Sequence, residues 1–363
     1  MPTSSTRQEV AARGLFKNAK ANEKLWIHQS DSIGTDLDQG SEMLNRRRLT
    51  ARVLVMAALA LTSLSSFAAA SKARHPVELT YLGNAGWQIT DGKTVILVDP
   101  YISEFRNGGN KTQITTDDPI AEPDKAGIDA RIHKADYILI THGHDDHMLD
   151  APYISRKTGA VIICTESAAN IARAHGVGDT FTARNFNPAL VKKQPLIVVR
   201  GGEDFQFDGF SLEVIPSLHT ALWNKRYNDG FWADKTPAGL KAPLHESDYA
   251  DGGTLIYLLR IAGHQIFIMG SMNYIEREIT GLRPDIAIVG AGRDRNQIYD
   301  YAGRLMRDLG NPPVVFPTHW DDYGFKPRAE VLKEVGVFTN EIHAASPRTK
   351  VIVPNYFVPI KVN

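Results

Sequence analysis

The stretch His142-Gly143-His144-Asp145-Asp146-His147 spells H-x-H-x-D-H directly after the apolar run Tyr137-Ile138-Leu139-Ile140. Four metal-capable side chains are thereby packed into one turn at the end of a buried strand. Imidazole and carboxylate are the ligands that hold zinc and its borderline-soft neighbours. A loop at a strand end can aim several of them at one point, whereas an extended strand sends successive side chains to opposite faces. The competing interpretation is a polar surface loop that happens to be rich in histidine. Further histidines downstream, His219 and His319, again follow strand-like runs, which favours a metal site.

This motif resembles that of the metallo-β-lactamase superfamily. The opening Val77-Glu78-Leu79-Thr80-Tyr81-Leu82-Gly83-Asn84-Ala85-Gly86-Trp87-Gln88-Ile89, and Ile96-Leu97-Val98-Asp99-Pro100, resemble the branch that contains L-ascorbate-6-phosphate lactonase. The resemblance runs over roughly residues 77 to 355. It implies an α+β fold, a four-layer αββα sandwich, and metal-dependent hydrolysis.

Composition narrows the partners. The 363-residue chain balances 41 Lys and Arg against 41 Asp and Glu, so no charge excess draws it to nucleic acid, and none is expected as a partner. Cys164, the one cysteine, lies in Ala160-Val161-Ile162-Ile163-Cys164 and is expected to be a buried strand thiol.

Near the N-terminus, Arg46-Arg47-Arg48 precedes the apolar run Val53 to Leu61 and then Ala68-Ala69-Ala70-Ser71. A basic region, a short apolar region and small residues suited to cleavage after Ala70 make residues 43–70 a signal peptide candidate. Asn45-Arg46-Arg47-Arg48-Leu49 partly resembles a twin-arginine signal. Thr62, Ser63, Ser65 and Ser66 interrupt the apolar run, so no stable membrane span is expected. Met43 stands where such a signal would start, which makes residues 1–42 a misassigned or disordered extension. Residues 71–363 are then the hydrolase domain, periplasmic or secreted.

Within that domain, runs at Val77 to Leu82, Trp87 to Thr90 and Thr94 to Asp99 form a meander broken by Gly-containing turns. Residues 102–127 are a long polar insertion, read as a site wall; a second insertion, 222–252, carries Trp223, Tyr227, Phe231 and Trp232 and is expected to cover an apolar substrate. Helices are expected near Glu166 to His175, Gln297 to Leu309 and Arg328 to Thr339, and strands near 195–200, 211–216, Thr254 to Arg260, Gln265 to Met269, Ile286 to Val289, Val314 to Phe316 and Val351 to Val353. Strand blocks with interspersed helices fit two sheets packed face to face, with helices outside.

The resemblance implies one metal on His142, His144 and His219 and a second on Asp146, His147 and His319, with Zn2+ the expected ion, one or two per chain, and other divalent metals admitted. All these residues end strands, so one sheet edge is expected to gather them. One departure stands out. The superfamily's bridging carboxylate belongs to a Gly-Asp pair, but here the run is Phe267-Ile268-Met269-Gly270-Ser271, which puts Ser271 in that place. The ligand sets are also similar to those of certain secreted metallo-β-lactamases, but no Thr-Pro-Gly follows His219. Asp99 is either a partner for a ligating histidine or a turn residue before Pro100. His264, between two strands, is expected to be solvated; His75, His133 and His175 carry no motif; His245 is a weak candidate for a lid contact.

The implied chemistry is metal-activated water attacking a small-molecule substrate, with Asp146 orienting the nucleophile and Ser271 hydrogen-bonding it. A carboxylic derivative (lactone, ester or amide) is the first reading. A phosphodiesterase, with Arg293, Arg295 or Lys225-Arg226 as cationic groups, is the alternative. A metal-binding protein with little catalysis is the third, supported by Ser271 alone.

Overall fold

In a computed structural model the chain divides into residues 1–70 and 71–363. The structure describes residues 74–109, 121–178, 180–182, 195–220, 235–321 and 328–363. The signal segment, the four aromatic residues of the second insertion and Lys225-Arg226 lie outside the described residues. No helix among the described residues is long and apolar enough to cross a membrane.

Two mixed sheets form the middle of the domain. The first contains β1 (Val77–Gly83), β2 (Gly86–Thr90), β3 (Val95–Val98), β4 (Tyr137–Leu139), β5 (Val161–Cys164), β6 (Thr180–Thr182), β7 (Leu196–Val198) and the C-terminal β15 (Pro359–Val362), in the order β15-β1-β2-β3-β4-β5-β7-β6. The second contains β8 (Asp204–Gln206), β9 (Phe210–Ser217), β10 (Thr254–Ile261), β11 (His264–Met269), β12 (Ile286–Gly290), β13 (Val314–Thr318) and β14 (Lys350–Val351), in the order β14-β13-β12-β11-β10-β9-β8. In each sheet an antiparallel block passes into a parallel one, at β3–β4 and at β11–β12.

The strand sequences explain the layering. Along β3, β4 and β5, Ile96, Val98, Leu139, Val161 and Ile163 face one buried cluster, while Leu97, Ile138, Ile162 and Cys164 face another. A period of two with apolar residues on both faces is the signature of a strand buried on both sides. The first cluster continues through Leu212, Leu258, Phe267 and Phe316 of the second sheet. The second cluster packs under helices α1 (Lys125–Arg131), α3 (Ala151–Thr158) and α4 (Glu166–Ala174), through Ile128, Ile154 and Ile171. On the outside of the second sheet, α6 (Tyr301–Leu309) and α7 (Arg328–Ala345) bury Leu305, Leu309, Phe338 and Ile342. This is the expected α+β sandwich.

Several expectations need correction. The helix expected from Gln297 starts at Tyr301, because residues 293–297 form a tighter 3-10 turn. The helix expected to end near Thr339 continues to Ala345. The chain does not close on the strand at 351; β15 follows and pairs antiparallel with β1 at the edge of the first sheet. Its residues are only partly buried and carry little apolar signal.

Candidate metal centre

Strands of both sheets end at the same rim. Asn84 follows β1, Asp99 follows β3, His319 follows β13, and His219 and Ser271 come two residues after β9 and β11. The H-x-H-x-D-H turn leaves β4 and runs into a one-turn helix, α2 (Asp145–Met148). The histidines therefore do not share one sheet edge: the four motif residues and Asp99 come from the first sheet, and His219, Ser271 and His319 from the second.

Local chemistry fixes the turn. Gly143 donates its N–H to the Asp251 carbonyl at 2.9 Å, and Leu255 N–H reaches the Thr141 carbonyl at 2.8 Å. A Cβ at Gly143 would run into the Ala250 carbonyl oxygen, so this approach of the second sheet requires glycine. Asn84, Asp99 and His319 adopt positive φ values of 50°, 40° and 54°. Left-handed backbone costs free energy in a residue with a Cβ, and strain of this kind concentrates at functional sites.

The ring nitrogens converge. His142 Nε2 lies 3.1 Å from His144 Nδ1, and the His142–His219 and His144–His219 ring centroids are each 4.6 Å apart. One candidate cation group is His142, His144 and His219; a second joins His142, Asp146 and His147. His319 lies outside that second group but close to it, with Nε2 3.4 Å from Asp146 Oδ2. His147 Nε2 lies 3.1 Å from the same Asp146 oxygen. All six expected ligands thus meet in one place. Ser271 is buried on the strand end beside them: a Cβ on its neighbour Gly270 would clash with Thr141 Oγ1 and Asp99 Oδ2.

A second layer holds these groups. Asp99, fully buried, accepts from Thr141 N–H at 2.8 Å and Thr141 Oγ1 at 2.6 Å, and lies 2.9 Å from His147 Nδ1. Its role as a histidine partner is therefore observed, and it turns the chain before Pro100 as well. Asn84 Nδ2 donates to Asp146 Oδ2 at 2.9 Å and to the Asp146 carbonyl at 3.0 Å. Asp321 Oδ2 in turn accepts from Asn84 N–H and from the Tyr81 hydroxyl, each at 2.9 Å. Sequence reasoning missed Asn84, Asp321 and Thr141. The Gly83-Asn84-Ala85-Gly86 turn was visible, but nothing in it pointed to Asp146.

Electrostatics separate the two groups. Burial, reinforced by neighbouring imidazoles, pushes His142 and His219 well below the usual histidine range, so both are neutral lone-pair donors. Burial also lowers His144, against the pull of Asp146 and Asp251. Burial acts on His147 in the same sense, but the two flanking carboxylates outweigh it and raise that imidazole to about 10. Burial works to raise Asp146, and His147 and His319 together hold it well below the usual carboxylate range. His219 Nδ1 and Ser271 Oγ are buried with no hydrogen-bond partner among the described residues. Neutral imidazoles aimed at one another, with buried polar atoms left unsatisfied, fit a divalent cation better than any internal hydrogen-bond scheme.

The other histidines are placed as follows. His264 is not solvated. It is 1% exposed, with Nδ1 2.6 Å from Asp285 Oδ2 and Nε2 3.1 Å from the His75 carbonyl. The polar turn suggested exposure, but residues 74–75 cover it. His245 is exposed and caps a short turn with Asp248; His133 is exposed. His175 Nε2 lies 3.0 Å from the Tyr249 hydroxyl. Cys164 is buried as expected, which raises its thiol pKa well above the ordinary value.

The fold and this rim define a metallo-β-lactamase-type protein. The family model for the beta-lactamase superfamily domain matches residues 78–319, well over half of the chain, and the chain belongs to that superfamily. Among its relatives is a UPF0173 metal-dependent hydrolase of Thermoplasma volcanium, 24% identical over 288 residues, covering 78% of this chain and 99% of that protein. Another, from Polynucleobacter asymbioticus, is 26% identical over 279 residues, covering 74% of this chain and 84% of the relative. Among solved structures, the metallo hydrolase Igni18 of Ignicoccus hospitalis is similar in fold, with 18% identity and a TM-score of 0.49 over 79% of this chain and 99% of that one.

Proposed function

We propose that this chain, a metal-dependent hydrolase of the β-lactamase superfamily, is exported, holds zinc, and hydrolyses a small carboxylic derivative: a lactone, ester or amide. The observation that carries the proposal is the convergence of His142, His144 and His219 beside Asp146, His147 and His319. We assign the first three to one metal position and the last three to a second. A divalent cation at such a site acts as a Lewis acid and lowers the pKa of water from about 15.7 to near 7.

The protein's own groups supply orientation. Asp99 accepts the Nδ1 proton of His147, so that Nε2, 3.1 Å from Asp146 Oδ2, is the nitrogen that would give up its proton to hold a cation. Asp146, held ionised, accepts a hydrogen bond from water and aims it at the substrate. We assign the Ser271 hydroxyl, which has no partner among the described residues, to a second hydrogen bond to that water. A serine in place of the family's carboxylate removes one anionic ligand, and three protein ligands per position remain, the usual number for a catalytic zinc with an open place.

Two side chains favour a carboxylic substrate over a phosphodiester. Arg293 is paired with Glu334 at 2.7 Å, and the buried Arg295 with Glu341 at 2.9 Å. Both guanidinium groups are thus neutralised by α7 glutamates instead of being offered to an anionic substrate. Export rests on the basic, apolar and small-residue pattern of residues 43–70. The purified protein is to be assayed, before and after chelation, on lactone, ester and amide panels and on a chromogenic phosphodiester, with Asp146→Ala alongside. Metal-dependent turnover of a carboxylic substrate, lost in the variant, is expected. Turnover of the diester alone, or full activity in Asp146→Ala, would overturn the assignment.

A further inference from the structure

We infer that Asn84 is a positioning residue that builds the second metal position by tying Asp146 of the first sheet to His319 of the second. The inference rests on the two-position reading above and adds a residue that the reading does not use.

Asn84 is fully buried and touches both halves of that position. Its side-chain Nδ2 holds Asp146 twice, at Oδ2 (2.9 Å) and at the carbonyl (3.0 Å). Its own carbonyl accepts the His319 N–H at 2.7 Å, the Tyr81 hydroxyl at 2.7 Å and Thr318 Oγ1 at 3.2 Å. The amide orientation is set by its partners, because turning it over would put Oδ1 against two acceptor oxygens of Asp146. Asp146 Oδ2 also lies 3.1 Å from His147 Nε2 and 3.4 Å from His319 Nε2. One hydrogen bond from Asn84 thus fixes the carboxylate rotamer, while its backbone fixes the start of the His319 turn.

The backbone explains why asparagine suits this place. At φ 50° the residue is left-handed, a region that Asn tolerates better than most residues with a Cβ. Asp321 anchors its N–H and is itself a buried carboxyl raised by burial, despite the bonds it accepts from Asn84 and Tyr81.

Two variants separate positioning from folding. Asn84→Gly tolerates φ > 0 and keeps the backbone bonds to His319 and Asp321 while deleting the amide. Asn84→Asp keeps the shape and replaces the donor by an acceptor facing Asp146. Cobalt(II) alone, titrated into the metal-free purified protein and followed by its visible spectrum, reads each position separately. Expected are two binding steps in the wild type and, in both variants, a weakening of about 10–100-fold confined to one step. His319→Ala identifies that step as the one it abolishes. Equal weakening of both steps would show a merely structural role and overturn the inference, as would unchanged affinities. A wild type that binds no cobalt would overturn the functional reading itself, whereas two normal steps in the wild type and in both variants would overturn only the role of Asn84.

Discussion

Two buried histidine–carboxylate pairs sit at opposite ends of the sandwich. At the rim, His147 Nδ1 lies 2.9 Å from Asp99 Oδ2; at the far end, His264 Nδ1 lies 2.6 Å from Asp285 Oδ2. Both histidine side chains have no exposure, and both carboxylates also accept a backbone N–H, from Thr141 and from Gln265. The difference is in the second ring nitrogen. His264 Nε2 faces the His75 carbonyl, so the pair closes on itself and staples residues 74–75 to the turn before β11. His147 Nε2 faces Asp146, and the His142 ring, tilted at 48°, has its centroid 3.8 Å away. A buried His–Asp pair is therefore no metal site by itself. A site needs ring nitrogens that the protein leaves for something else.

Substitution at the two ends should break the symmetry most visibly. His142→Ala removes the residue common to both candidate cation groups. It should lower metal affinity and metal-dependent turnover by more than about 100-fold, a larger loss than the 10–100-fold typical of a residue one layer out. Elemental analysis and rate assays check it, and wild-type metal content in the variant would contradict the assignment. Asp99→Asn should be milder. The His147 tautomer is no longer enforced, and metal affinity should fall by about 10–100-fold with the fold intact. His264→Ala should show the opposite profile: unchanged metal content and turnover, but a loss of about 1–3 kcal/mol in unfolding free energy, because the Asp285 carboxylate is left short of a partner. Denaturant unfolding together with an activity assay tests both halves of that statement.

The smallest expected effect is on pH dependence, and it too sharpens the contrast. His142 and His219 titrate below their ordinary value of 6.5 when folded, so the unfolded chain binds more protons there. Stability of the metal-free protein should fall as pH drops through that range. His147 shifts the other way, to about 10, and its contribution is complete below 6.5 and lost as pH rises through 10. The metal-free protein should therefore be most stable near pH 6.5, and because two lowered histidines oppose one raised one, its unfolding midpoint should be lower at pH 5 than at pH 8. A flat profile over that interval would show that the rim imidazoles are not held neutral.

Much of the fold is legible because its signal is local. Tyr137 to Ile140 and Val161 to Cys164 read as buried strands, and the meander from Val77 to Asp99 follows from strand runs and glycine turns. Among the elements that escaped notice, besides the helices Lys125–Arg131 and Ala151–Thr158, are strands with weak local signals. β6 and β8 are three residues each, and β15 is stabilised by pairing with β1 more than by its own composition. The arginines read as possible substrate contacts turned out to be partnered by Glu334 and Glu341, which lie some forty positions away along the chain. No periodicity connects residues at that separation.

The sequence by itself determined the chemistry. H-x-H-x-D-H at a strand end packs imidazole and carboxylate into one turn, His219 and His319 follow later β-rich runs, and the resemblance of this motif to the metallo-β-lactamase superfamily implies two ligand sets and metal-dependent hydrolysis. Tertiary structure decided which of the remaining polar residues matter. Only the tertiary fold brings the end of β1 against the turn that follows β4 in its own sheet and the end of β13 in the other, so that Asn84 grips Asp146 and meets His319, and Asp321 grips Asn84. The same fold buries His264 at the other end, where it holds chain and not metal. A side chain's type and its neighbours along the chain fix what it can bind; which of its atoms is left without a protein partner is fixed by contacts between distant segments, and those exist only once the sheets have closed on each other.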